Sequence, residues 1–338
     1  MSTDRPFLPR LVSACAALLR QATTISWELI KIMVPLLAVT YTLQRLDLIK
    51  YPGYALAPLM RLVGLPGEAG LVWAAAMITN LYGGIAAFVA LVPATDLTAA
   101  QATVLCTMMA VAHALPVECR VCQKTGTRFR AAALSRIIGA LLLGWILHIL
   151  YSTGGWLEGP CRVLWQEPPS EGNALGPWLV SLALSLGKIY LIVLALLALM
   201  KVLEAVGLLR LLLRIMGPVL RRLGISPDMA PLAIIGMTMG VTYGGGLILQ
   251  ETRTGRFGRR DVVHAMTLMG LCHALIEDTL LMIALGAHIT GVLWGRLVFS
   301  LAAAYVMVKL TGLLSDATFD RLFYRASSEK DRPADAAD

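Results

Sequence analysis

The sequence predicts an all-α polytopic membrane protein built from two inverted-topology repeats, and three observations predict it: the composition, an internal repeat and the placement of basic residues. Hydrophobic residues make up 57% of the 338-residue chain and charged residues 15%, with several apolar stretches near or above ~20 residues, the length of helix that crosses a bilayer. Residues 24–151 and 184–312 read as two copies of one unit at an offset of 160. Met109, His113, Ala114, Leu115 and Glu118 return as Met269, His273, Ala274, Leu275 and Asp278. Pro58, Arg61 and Gly64 return as Pro218, Arg221 and Gly224, and Arg136 returns as Arg296. Tyr82-Gly83-Gly84 matches Tyr243-Gly244-Gly245 one residue late, an alignment that sets Asn80 against Val241.

Apolar segments lie near 24–45, 68–92, 98–119, 128–151, 177–204, 228–250, 260–287 and 289–312. Eight full crossings would leave 13 loop and tail Lys and Arg on one face and 12 on the other, with no orientation bias. If 68–92 and 228–250 are re-entrant hairpins, the split becomes 21 to 4, as the positive-inside rule expects. Three crossings per repeat then require the second copy to be inverted. The N- and C-termini fall in the cytoplasm.

The elements follow in order. Residues 1–23 form an N-terminal interfacial segment; Arg5, Arg10 and Arg20 precede the first long apolar run without a signal-peptide cleavage pattern. Repeat 1 (24–151) has a spanning helix, an interfacial amphipathic helix at 47–63, a hairpin whose tip is Asn80–Gly84, a spanning helix broken at Pro116, and a further spanning helix. Adjacent glycines destabilise helix and permit the positive φ of a tight turn. Each hairpin arm of roughly 12 residues reaches ~18 Å, about halfway through a ~30 Å core. Residues 152–176, with Glu158, Glu167 and Glu171, suit a periplasmic linker. Repeat 2 (177–312) repeats the order, with an interfacial helix at 207–223 and a hairpin tip at Thr242–Gly246. The tail, 313–338, is cytoplasmic and partly disordered, being polar and aperiodic from about Ser327.

Ionisable groups inside spanning segments are costly and point to function or to pairing. His113 and Glu118, with the Pro116 break between them, match His273, Glu277, Asp278 and Thr279. A His and an acid about one turn apart can share a proton or bind a cation together. Arg136 and Arg296 each lie 18 residues after their repeat's acid and suit structural ion pairs. Lys31 and Lys188 read as snorkelling anchors, Arg253–Arg260 as an orientation determinant, and Met266, Met269 and Met282 as packing. The Cys119-Arg-Val-Cys122 pair lacks a second ligand pair, so no resident metal and no cofactor are expected. The net charge of +8 fits orientation and lipid contact; no aromatic-interleaved basic stripe points to nucleic acid. No nucleophile elbow, zinc-protease pair or phosphate loop points to an enzyme.

Gly240-Val-Thr-Tyr-Gly-Gly-Gly246 with Leu271-Cys-His-Ala-Leu-Ile-Glu-Asp-Thr-Leu280, and Leu81-Tyr-Gly-Gly84 with Ala112-His-Ala-Leu-Pro116, resemble the nucleoside-recognition, or Gate-domain, integral membrane proteins. The resemblance covers about 25–312. Such a module is similar to the core of concentrative nucleoside transporters and to the gate domains of bacterial ferrous-iron permeases. It implies a bacterial inner-membrane location and a site between two hairpin tips and two unwound helices. By position, Asn80, Tyr82, Gly83, Gly84, His113, Glu118, Tyr243, Gly244, Gly245, Gly246, His273, Glu277, Asp278 and Thr279 are the candidate substrate-binding residues. His113, Glu118, His273, Glu277 and Asp278 are the candidates for proton or ion coupling. The polar first hairpin of the nucleoside transporters has no counterpart here.

Doubled units with glycine breaks and buried ionisable groups mark secondary transporters. The expected function is proton-coupled transport of a small polar solute, nucleoside- or nucleobase-like by resemblance, through alternating access of the two repeats. A divalent-metal permease of the iron type using the same His and carboxylate groups is the alternative. A non-transporting Gate-fold scaffold or sensor is a third. The expected partners are the solute, a coupling ion (H+ or Na+) and the lipid bilayer, and exposed scaffold helices are compatible with a homo-oligomer.

Overall fold

A computed structural model describes residues 50–91, 97–164, 205–252 and 257–325, with scattered positions in 16–31 and 184–203. The segments expected at 1–23, 24–45 and 177–204 fall wholly or mostly outside the described residues, as do 165–183, the 253–256 part of the arginine loop and the tail beyond 325.

The described residues are helical, and their only β contacts are two isolated bridges, Thr98–Pro160 and Thr127–Tyr324. The helices are α1 (Lys50–Arg61), α2 (Ala69–Ile78), α3 (Leu81–Leu91), α4 (Ala99–Val111), α5 (Leu115–Lys124), α6 (Phe129–Gly154), α7 (Leu208–Arg222), α8 (Ala230–Met239), α9 (Val241–Thr252), α10 (Arg259–Leu271), α11 (Leu275–Ala284), α12 (Arg296–Gly312) and α13 (Asp316–Leu322), with a π-helical turn at Thr290–Gly295 leading into α12. Among the described residues, four stretches are long and apolar enough to cross a membrane: Ala99–Lys124, Phe129–Gly154, Arg259–Ala284 and Thr290–Gly312.

Burial separates these four into two kinds. Residues 102–111 of α4 and 262–271 of α10 are buried on every side, so these two form the centre of the molecule. By contrast, α6 exposes Leu134, Ile138, Leu142, Trp145 and Ile149, and the following pair in the other half exposes Trp294, Val298, Tyr305 and Leu310. Apolar stripes of this length in contact with solvent would be a large penalty; they are the lipid face of a membrane protein.

Subtracting 160 maps α10 onto α4 and α11 onto α5 residue for residue, and α8 and α9 onto α2 and α3 to within a residue. The same subtraction governs the hairpins, which corrects the one-residue slip read from the Tyr-Gly-Gly motif. The α2–α3 turn lies at Thr79–Asn80, where Asn80 Oδ1 accepts the Gly83 amide at 2.8 Å. The α8–α9 turn lies at Gly240, which takes φ +96°, a conformation that glycine adopts without steric cost. Asn80 therefore pairs with Gly240, and Tyr82 with Thr242. The Tyr-Gly-Gly glycines are not the tips: they lie in α3 and α9 and let the arms close. A Cβ on Gly84 would sit 2.5 Å from Ala76 Cβ and 2.8 Å from Met109 Cε, and one on Gly244 would collide with the backbone of Gly236, the counterpart of Ala76. Small residues at such crossings are the usual means of bringing membrane helices together.

The short C-terminal helix ties the two halves at one end. Ser315 caps α13. Asp316 receives Arg259 at 3.2 Å and Arg260 at 2.9 Å, and Asp320 also pairs with Arg259. From the other half, Arg128 Nε donates to the carbonyls of Asp320 and Tyr324 at 2.9 and 3.2 Å. The hydrogen bond from Arg260 and the charge of Arg259 hold the Asp316 carboxyl below the usual carboxylate range.

Candidate functional site

The central helices break where the chemistry lies. After Val111, Ala112 and His113 leave the helix, and Ala114 starts α5 at φ 47°. After Leu271, Cys272 and His273 do the same, and Ala274 starts α11 at φ 44°. Two alanines in the left-handed region, at equivalent positions, are conformations that surrounding structure must enforce. One such restraint is the Ala114 amide, which donates to Ala76 O of α2 at 2.9 Å. The break is not caused by Pro116, contrary to the sequence expectation. Pro116 lies in the first turn of α5, where no amide is needed, and the second repeat breaks identically with Ile276 in its place.

Each break turns its histidine toward the other. His113 Nδ1 lies 3.0 Å from Met109 O and His273 Nδ1 lies 3.0 Å from Met269 O. A carbonyl only accepts, so both Nδ1 atoms carry the hydrogen and both Nε2 atoms are acceptors when the rings are neutral. The two Nε2 atoms face each other at 3.1 Å. Glu118 Oε1 completes the group, 3.6 Å from His113 Nε2 and 3.3 Å from His273 Nε2. All three side chains are buried.

Buried arginines frame this cluster. Arg136 Nε donates to Val111 O and Arg296 Nε donates to Leu271 O, each at 3.0 Å, satisfying carbonyls that the helix breaks release. Arg136 pairs with Glu118, and Arg296 with Asp278 at 3.1 Å. Arg296 also donates to His273 O at 2.9 Å. The halves differ in reach. Glu118 spans from Arg136 to both imidazoles, whereas Asp278, one methylene shorter, contacts Arg296.

The other candidates fall at varying distances from this centre. Glu277, at the position of Val117, accepts a hydrogen bond from Tyr82 Oη at 3.2 Å, which links hairpin α2–α3 to α11. Thr279 faces the π turn through Val292 O at 3.4 Å. Asn80 caps α3, and Gly83, Gly84 and Gly244 are buried among the hairpin arms. Gly245 packs on α5, where a Cβ would meet Val121 at 2.6 Å, while Gly246 is exposed with open space around it. The side chain of Tyr243 lies outside the described residues. Sequence reasoning missed the roles of the Met109 and Met269 carbonyls and the Nε2–Nε2 contact. The one available signal was the equal spacing of Met109–His113 and Met269–His273.

These features define an integral membrane protein with broken central helices, and residues 186–289 are similar to the Gate family, whose description is nucleoside recognition. The chain is also similar to an uncharacterized membrane protein, YvoD, of Bacillus subtilis (strain 168), with 27% identity over 289 residues, covering 83% of this chain and 88% of that one. No solved structure matches it.

Proposed function

We propose that the protein is a secondary-active transporter in which His113, His273 and Glu118 bind the coupling cation, foremost a proton, at the junction of two inverted repeats. The observation that carries this reading is the convergence of three acceptor atoms, with both Nδ1 hydrogens committed elsewhere. Facing lone pairs 3.1 Å apart repel; one added proton turns the contact into a charge-assisted hydrogen bond. Proton occupancy therefore biases whether the two broken helices stay together, which is the property a two-state carrier needs. Hairpins α2–α3 and α8–α9 are read as re-entrant, both termini as cytoplasmic and the membrane as the bacterial inner membrane. The solute is small, polar and nucleoside- or nucleobase-like, following the description of the Gate family. It would meet Tyr82 and Glu277 beside the hairpin turns, where Ile78, Val117 and Met239 are exposed.

A second reading has its own observation. The three edges of the cluster, 3.1, 3.3 and 3.6 Å, bracket the roughly 3.3 Å separation of ligand atoms held ~2.0–2.1 Å from a tetrahedral ion. A divalent transition metal, as transported substrate, fits the donor set. Uptake into proteoliposomes, with nucleosides, bases and divalent metals side by side across pH 5.5–8, separates the two. The proton-coupled reading expects pH-dependent nucleoside or base uptake that His273→Gln abolishes. Unchanged uptake and pH dependence in that variant would sink it, and metal flux without solute flux would replace it with the permease.

A further inference from the structure

The two repeats differ at a second place, about 20 Å along α4 from His113 at ~1.5 Å per residue. Here a cavity of about 180 Å³ opens beside the end of α6, lined by Ala100, Gln101, His148, Tyr151, Trp156 and Glu158 among others. Its counterpart in the second repeat is filled by the chain itself. Subtracting 160 places Arg260 at Ala100, Val308 at His148 and Thr311 at Tyr151. The correspondence extends to contacts, since a Cβ on Gly64 would collide with His148 and one on Gly224 would meet Val308 at 2.8 Å. The Arg260 guanidinium donates to Thr311 O, to Leu314 O at 2.9 Å and to the Asp316 carboxylate at 2.9 Å. It also lies 4.6 Å from the centre of the Phe319 ring.

The first repeat keeps the same three kinds of partner without the arginine. The carbonyl end of α6 replaces the end of α12, and carries the same partial negative charge. Glu158, at the position of Thr318, supplies a carboxylate in place of Asp316, two residues from the strict equivalent. Trp156, at the position of Asp316, supplies an aromatic face in place of Phe319, its ring folded back to within 2.9 Å of a Cβ position on Gly154. What Ala100 removes is the cation.

The geometry points to a guanidinium site: the cavity beside Ala100 binds a small free guanidinium compound in the place that Arg260 occupies in the other repeat. Helix-end carbonyls and Glu158 receive the planar donor fork and Trp156 stacks on it. This site is separate from the histidine cluster, and it stands whichever solute that cluster serves.

Thermal unfolding of the purified full-length chain in detergent tests it, with methylguanidinium chloride as probe and methylammonium chloride and sodium chloride as controls. The expected result is a saturable rise of roughly 2–4 °C with methylguanidinium at about ten times its Kd, and a smaller one with either control. Ala100→Arg installs the missing side chain, so it should raise the unliganded midpoint and abolish the response. Glu158→Gln, isosteric and at an exposed position, should weaken binding at least about tenfold and decides the matter if Ala100→Arg does not fold. No saturable response beyond the controls, or an unaltered response in Glu158→Gln, overturns the assignment.

Discussion

Glu118 and Asp278 occupy equivalent positions, and the single methylene between them divides two tasks that the sequence joins. Both neutralise a buried arginine, but Glu118 also touches the histidines. Glu118→Gln should lose both, leaving Arg136 buried beside an uncharged amide at a cost of about 3–5 kcal/mol. Glu118→Asp should keep the pairing, as Asp278 does with Arg296, while withdrawing from the imidazoles. The expected outcome is a midpoint of unfolding near wild type with transport that no longer depends on pH. A Glu118→Asp protein with normal pH dependence would separate the carboxylate from the coupling role. The residue types of this site were legible in the sequence because ionisable groups in apolar segments stand out. Their contacts were not, because they rest on positive φ at Ala114 and Ala274, which no alanine announces. A straight helix would have put His113 and Glu118 on diverging faces, away from His273.

At the scale of elements, the hairpins show how a motif can mislead by one residue. The run Gly244-Gly245-Gly246 offers two alignments to Gly83-Gly84, and Tyr82 with Tyr243 favours the wrong one. Packing selects the other, since Gly84 meets Ala76 and Gly244 meets Gly236, equivalent positions on the facing arms. Gly84→Ala and Gly244→Ala should each cost about 1–3 kcal/mol through overpacking, while Gly246→Ala, with open space around it, should be neutral or slightly stabilising. Equal midpoints for Gly244→Ala and Gly246→Ala would remove the packing explanation. Helix α13 gives a prediction of a different kind. The Asp316 carboxyl is held low by Arg260 and Arg259, so its contribution to docking is present above the unfolded value near 3.9 and is lost as pH falls through the lower folded value. Hydrogen exchange in 316–322, corrected for intrinsic rates, should stay protected at pH 5 and accelerate only well below pH 4.

For the whole molecule, the composition made the membrane class readable, and the offset of 160 made the order of helices readable because duplicated chains keep their breaks in step. Orientation came from counting basic loop residues, and it carries a direct test. With native cysteines replaced, cysteines at Ser152 and Thr318 should label with membrane-impermeant maleimide from opposite sides, Ser152 from outside and Thr318 from inside. Labelling from one side would remove the inverted arrangement. The meeting of His113 with His273, residues 160 apart, has a further consequence. Equivalent residues touch only on the symmetry axis, so the two copies share one cluster and do not carry one each. A single ancestral copy would have had no complete site and would have needed a second subunit to form it. Within one chain Glu118 and Asp278 can differ, which identical subunits could not do. The expected stoichiometry is one cation per chain.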